Sequence, residues 1–210
     1  FTRAMVGLGD VNWGLGTLWY WQQVFGGQEP WYYATRLYYP QGITFVTNAA
    51  GPFSALLALP FWGWGPAAAY NAAIVLGFAL TGVCMYLLAR DLGVSRSGAA
   101  IAGLLYMMAP LHVYAALSHI NKVFLGFIPL ALLVTQRALA QEHWRLWALL
   151  AGPLLVLAFL QAPEQLVFAG LGCAALALYA VLAAAPAARA GKLKRALLVM
   201  ASILVCTLPL

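Results

Sequence analysis

The chain is short of charge. Only 8% of its 210 residues are Asp, Glu, Lys or Arg, where a soluble domain carries about a quarter. Hydrophobic residues make up 64%. This balance excludes an ordinary water-soluble enzyme and predicts an all-α, polytopic membrane protein. Cysteine is scarce as well. Cys84, Cys173 and Cys206 all lie inside apolar runs, with no disulfide or zinc spacing. A Walker loop, HExxH and GxSxG are absent, which removes the commonest nucleotide, zinc-protease and serine-hydrolase readings. The net charge of +6 is not a nucleic-acid signal. Its residues are spread between apolar runs, where the headgroups of membrane lipids are the natural partners.

What charge there is falls in a pattern. Eight of the 11 basic residues sit in three stretches: Arg90 and Arg96, Arg137 and Arg145, then Arg189, Lys192, Lys194 and Arg195. A membrane helix needs about 20 apolar residues. Each gap between stretches holds about two such crossings, so the chain leaves and returns. Cytoplasmic loops are enriched in Lys and Arg, which puts all three stretches inside. The predicted spans are Pro66–Ala89, Ser97–Leu117 with a kink at Pro110, Val123–Ala138, Leu146–Leu160, Leu166–Ala184 and Ala196–Leu210. That makes about six, the last cut off by the end of the chain. The first residue is not Met, so the chain is expected to be a piece of a longer protein with an earlier span before it. The outer side then receives residues 1–65, the hinge Ser118–Lys122 and the hinge Gln161–Gln165.

Residues 1–65 differ in kind from the bundle of residues 66–210. They hold six of the eight Trp and half of the Tyr and Gly in under a third of the length. Asp10 is placed to cap a helix whose Trp13, Leu18, Trp19, Trp21, Val24 and Phe25 form an aromatic face. Such a helix suits the membrane interface. Residues 29–48 read as an ordered external loop. Pro52–Trp62 is apolar but too short to span, and suits an interfacial or re-entrant helix.

Ionisable groups at membrane depth are costly and tend to be functional. The outward-facing polar set is Arg3, Asp10, Asn12, Arg36, Tyr38, Tyr39, Asn48, His119, Asn121, Lys122, Glu164 and Gln165. Asp10 is either a helix cap or a general base or metal ligand. Glu164 follows Pro163 at a helix start, where the macrodipole favours an acid; the alternative is a polar contact in an external cavity. His119 and Lys122 share one hinge. They either face headgroups or hold the phosphate of a lipid-linked substrate, and Arg36 has the same two readings. The aromatic stripe anchors at the interface, or stacks on sugars.

Several segments resemble the first external loop and following spans of bacterial GT-C-type membrane glycosyltransferases. They are Gly9-Asp10-Val11-Asn12-Trp13, Trp19-Tyr20-Trp21, Tyr38-Tyr39-Pro40-Gln41-Gly42, Pro52 to Pro60, Ala69-Tyr70-Asn71, Leu87-Leu88-Ala89-Arg90, Ser118-His119-Ile120 and Ile128-Pro129-Leu130. Their order and spacing cover nearly the whole chain. The resemblance implies an enzyme of the bacterial plasma membrane. It moves a sugar from a polyprenyl-phosphate donor to an acceptor on the non-cytoplasmic face, with inversion. It also implies that Asp10 is the catalytic or metal-binding acid, and that a divalent metal ion is a candidate cofactor. One departure stands out. Many active members carry two adjacent acids where this chain has Asp10-Val11, which leaves a divergent or inactive homologue open. A transporter or flippase-like protein and a non-catalytic membrane subunit are the alternative classes.

The charge pattern makes a topological prediction. In a cysteine-free background, Glu142→Cys and Lys192→Cys should stay unlabelled by an impermeant thiol reagent in sealed cells. Labelling from outside would overturn the orientation.

Overall fold

The computed structural model describes residues 3–7, 9–31, 33–44 and 51–208. Asn48, one of the outward-facing polar set, lies outside the described residues. Helix makes up 77% of the structure, which agrees with the all-α class. The α-helices are α1 (Val11–Phe25), α2 (Pro52–Ala58), α3 (Pro66–Asp91), α4 (Arg96–Met107), α5 (Pro110–Ser118), α6 (Phe127–Ala140), α7 (Trp144–Gln161), α8 (Pro163–Leu182) and α9 (Pro186–Thr207). Short 3-10 helices follow α2 at Leu59–Trp64 and precede α6 at Ile120–Lys122. A small antiparallel ribbon pairs β1 (Tyr33–Ala34) with β2 (Ile43–Thr44).

Among the described residues four helical stretches are long and apolar enough to cross a membrane: Pro66–Asp91, Ile120–Ala140, Trp144–Gln161 and Pro163–Leu182. The pair α4 and α5 makes a fifth if counted as one span bent by 44°. The bend falls at Pro110, whose ring and missing N–H interrupt a helix. The chain is thus an integral membrane protein by the length and apolarity of its helices. The last helix differs from expectation. Residues 185–195 read as a basic loop, yet α9 starts at Pro186 and carries Arg189, Lys192, Lys194 and Arg195 on its first three turns. Proline is favoured at the first helical position, and Ala, Lys and Arg are strong helix formers.

The chain divides into two compact units. One comprises Phe1–Gly82, Gly103–Leu125 and Leu160–Pro163; the other comprises Val83–Ala102, Gly126–Phe159 and Glu164–Leu210. The core of the first unit gathers Leu18, Tyr20, Trp21 and Val24 of α1, Ala55 and Ala58 of α2, Ala69, Tyr70 and Ala73 of α3, and Ile120 and Val123. The buried stripe of α1 is Gly14, Thr17, Leu18, Tyr20, Trp21 and Val24. Trp13 and Trp19, expected on the same face as Trp21, are only partly buried. Helical spacing of three and four explains most of the stripe. Gly14 lets α1 approach closely, because a Cβ there would lie 3.1 Å from Tyr70 and 3.3 Å from Ile120.

The second unit is built on small residues. Ala131, Val134 and Ala138 of α6 pack with Ala148, Ala151 and Leu155 of α7, Ala169 and Cys173 of α8, and Val199 and Ile203 of α9. Small side chains let membrane helices meet backbone to backbone. Gly152 is the tightest such contact. Its N–H donates to Ser202 Oγ (3.2 Å), and Ser202 donates in turn to the Leu149 carbonyl (3.0 Å).

A Cβ at Gly152 would sit 2.3 Å from the Ser202 carbonyl oxygen, so backbone would have to move. Gly152→Ala should therefore destabilise the chain by about 1–3 kcal/mol, measured as a lower midpoint of thermal unfolding in detergent. An unchanged midpoint would contradict this packing.

Candidate functional site

The site lies in the first unit, around an interruption of helix between α5 and α6. Broken helix exposes backbone groups, and inside a bilayer these must find partners within the protein. Side chains from several helices supply them. Ser54 donates to the Ile120 carbonyl (2.9 Å). The Gln161 amide nitrogen donates to the Asn121 carbonyl (2.7 Å) and to Ser54 Oγ (2.7 Å). Thr81 Oγ1 accepts from the Leu125 N–H (2.9 Å), and Tyr106 donates to the Leu125 carbonyl (3.4 Å). His112 faces two carbonyls, Met107 through Nδ1 at 2.8 Å and Val123 through Nε2 at 3.3 Å. A neutral ring donates to only one of them, and the shorter contact serves the carbonyl freed by the Pro110 bend. The ring stacks on Phe78 at 4.2 Å.

Gln161 has a second task. Helix α2 is preceded by Gly51, which has no side chain with which to cap it. Gln161 Oε1 accepts from the N–H groups of Phe53 (3.1 Å) and Ser54 (3.4 Å) instead, two of the donors a helix start leaves over. Gly51 itself has φ +57, and a Cβ there would meet Asn121 Cα at 2.9 Å. Gly77 of α3 passes close to the same interruption, since a Cβ there would lie 2.8 Å from the Val123 carbonyl oxygen.

The N-terminal segment is tied down beside this hinge. Asn71 donates to the Ala4 carbonyl (2.8 Å) and accepts from the Val6 N–H (2.9 Å). Gly7 runs so close to the Leu117 carbonyl that a Cβ would lie 2.9 Å from it. Gly9 turns the chain with φ +65, and α1 begins after Asp10. Asp10 occupies the capping position, but its side chain makes no capping hydrogen bond. Its Oδ2 lies 3.5 Å from His119 Nδ1. The two side chains are 60% and 42% exposed, carboxylate and imidazole respectively, so both are open to a reactant. Lys122 follows three residues after His119 in the hinge, whose 3-10 turn is closed by the Lys122 N–H on the His119 carbonyl (2.9 Å).

The other site residues fall elsewhere. Arg36 pairs with Glu29 at 2.8 Å, and Glu29 is only 2% exposed. Thr35 donates to the other oxygen of the same carboxylate (3.0 Å). Arg36 thus closes the loop of residues 29–44. Glu29 was not among the residues singled out by sequence, because one acid in a polar loop gives no signal of burial. Tyr20 of α1 donates to the Pro30 carbonyl and fastens the same loop. Burial, then the negative charge of Glu29, push its hydroxyl up to about 12. It therefore remains a donor at neutral pH. Glu164 stands in the first turn of α8, in the second unit.

Asp10 and His119 offer two ligand atoms for a metal. Among the described residues no group of three or more His, Cys, Asp or Glu could complete a set. The residues present do not fit a metal centre built of side chains alone.

The hinge depends most on Gln161, which is wholly buried. Gln161→Leu removes its partners from Ser54, Phe53 and Asn121. Each buried polar group so orphaned costs about 1–3 kcal/mol. The thermal midpoint in detergent should fall by roughly 6 °C or more, and amide exchange should quicken at residues 52–54 and 119–123. A midpoint within about one degree of wild type, compared on that same scale, would show the hinge to be held by packing instead.

Comparison with family models, with curated proteins and with solved structures found no match to this chain.

Proposed function

We propose that this chain forms the outer-face working part of a GT-C-type membrane glycosyltransferase. On this reading it uses a polyprenyl-phosphate sugar in a bacterial plasma membrane. The observation that carries the reading is the Asp10 carboxylate. It sits at a helix start without capping it, and it faces His119 at 3.5 Å. A carboxylate that held a helix would be spent on backbone N–H groups. This one is exposed and lies beside a histidine, within reach of an acceptor hydroxyl as a general base needs to be. The motif resemblance supports the same residue independently.

The chemistry then runs on side chains. Asp10 takes the proton of the acceptor hydroxyl. The acceptor oxygen bonds to the anomeric carbon from the face opposite the leaving group. The bond from that carbon to the phosphate oxygen breaks, and the polyprenyl phosphate leaves with the electron pair. His119 fixes the carboxylate, and when protonated it adds positive charge beside the phosphate. Lys122 is the cation for that phosphate. Arg36 was an equal candidate in sequence; in the structure it pairs with the buried Glu29. Glu164 keeps its dipole reading. This reading also takes the finer topology: about six spans, with residues 1–65 and both hinges on the outer face.

Asp10→Asn separates the two roles of Asp10. Asn caps helices as well as Asp does, so folding should be unaffected. Turnover of a confirmed polyprenyl-phosphate sugar should fall by ~10²–10⁴-fold. Wild-type turnover in the variant would remove Asp10 as the base. Absence of transfer by wild-type protein across a donor panel would favour a non-catalytic subunit.

A further inference from the structure

At the basic end of the second unit, a groove of about 450 Å³ runs between the start of α7 and the middle of α9. Trp144, Arg145, Lys194, Leu197, Leu198 and Ala201 line it. Most cations nearby are already engaged by protein. Arg137 is paired with Asp91 at 2.8 Å. Lys192 and Arg195 donate to the Leu139 carbonyl at 2.5 and 3.2 Å. Two are not so engaged. Among the described residues Lys194 has no hydrogen bond or ion pair, and Arg145 has only the ring of Trp144, at 5.6 Å. Arg145 also stands in the first turn of α7, where the helix dipole disfavours a cation unless an anion joins it.

Below the two cations the groove turns apolar. Lys194, Leu197, Ala201 and Leu204 are spaced by three and four residues and share one face of α9. Leu197 and Leu204 are 60% and 61% exposed. From Lys194 to Leu204 the helix rises about 15 Å, about half of the ~30 Å hydrocarbon thickness of a bilayer. A cationic head above an apolar track one leaflet deep has the shape and charge of one kind of molecule. On the other side of Trp144 and Arg145 a second groove of about 360 Å³ includes Glu142 and His143.

We infer that this groove is a binding site for an anionic diacyl phospholipid. Its phosphodiester lies on Arg145 and Lys194, and one acyl chain lies along Leu197, Ala201 and Leu204. The inference rests on the membrane-spanning reading of the helices. It is independent of the glycosyltransferase proposal.

The test is native mass spectrometry of the whole chain, delipidated in detergent and offered dioleoyl phosphatidylglycerol or dioleoyl phosphatidylcholine. Wild type should retain phosphatidylglycerol over phosphatidylcholine by about tenfold or more. The double variant Arg145→Gln/Lys194→Gln should lose that preference while keeping the wild-type thermal midpoint without lipid. The charge-matched control Arg96→Gln/Arg189→Gln should keep it. Leu197→Ser should weaken retention of phosphatidylglycerol, and millimolar inorganic phosphate should not displace the lipid. Equal preference in the groove variant and wild type, or an equal loss in the control, overturns the site. Displacement by phosphate reduces it to a free-anion site and overturns the lipid assignment. Alkaline carbonate extraction of wild-type membranes is read separately. Release of the chain there would refute the spanning reading itself, whereas retention with no lipid preference would refute the site alone.

Discussion

The backbone between α5 and α6 leaves the α-helix, and its Ile120, Asn121 and Val123 are buried. That constraint organises the first unit. Every freed carbonyl or N–H around Ile120–Leu125 calls for a polar side chain from elsewhere. Ser54, Thr81, Tyr106 and Gln161 answer from four different helices. Three of the four, all but Tyr106, are buried. Each would be a liability alone, because an unpaired polar group is expensive in a low-dielectric interior. Together they satisfy the hinge and hold it in one conformation.

A hinge fixed in this way can position chemistry. His119 and Lys122 ride on it, and the Gly7–Asp10 segment is laid against it by Asn71. Neither member of the Asp10–His119 pair is itself deeply buried. Their geometry comes from the neighbours that hold the backbone, which is how a solvent-accessible acid can be kept in place. The loop of residues 29–44 is handled separately. There the buried Glu29 carboxylate gathers Arg36 and Thr35, and Tyr20 ties the loop to α1.

Much of the fold was legible because the bilayer writes itself into composition. The long apolar runs matched helices within a few residues, and Pro110 marked the bend. The start of α9 was misread, since a cluster of Arg and Lys looks like a loop although those residues favour helix. The ribbon of Tyr33–Ala34 with Ile43–Thr44 was too short to leave a periodic signal. Asp10 was legible as a residue of interest, from one acid between a glycine and an aromatic helix. Its missing cap bond was not, because both outcomes share one sequence. Gln161 was the larger omission. It was seen as part of a hinge, yet its partners Ser54 and Asn121 lie 107 and 40 residues away in sequence. A lone Gln in an apolar run is the only trace such a contact leaves.

We propose that Asp10 and His119 work as one centre on the hinge. Turnover of Asp10→Asn, His119→Gln and the double variant with a confirmed polyprenyl-phosphate sugar tests it most directly. Residues that act as a unit are strongly non-additive. The double variant should then be no slower than the worse single one, within about threefold, a coupling well above the additivity error of independent sites. Losses that multiply would show two independent residues and contradict the claim.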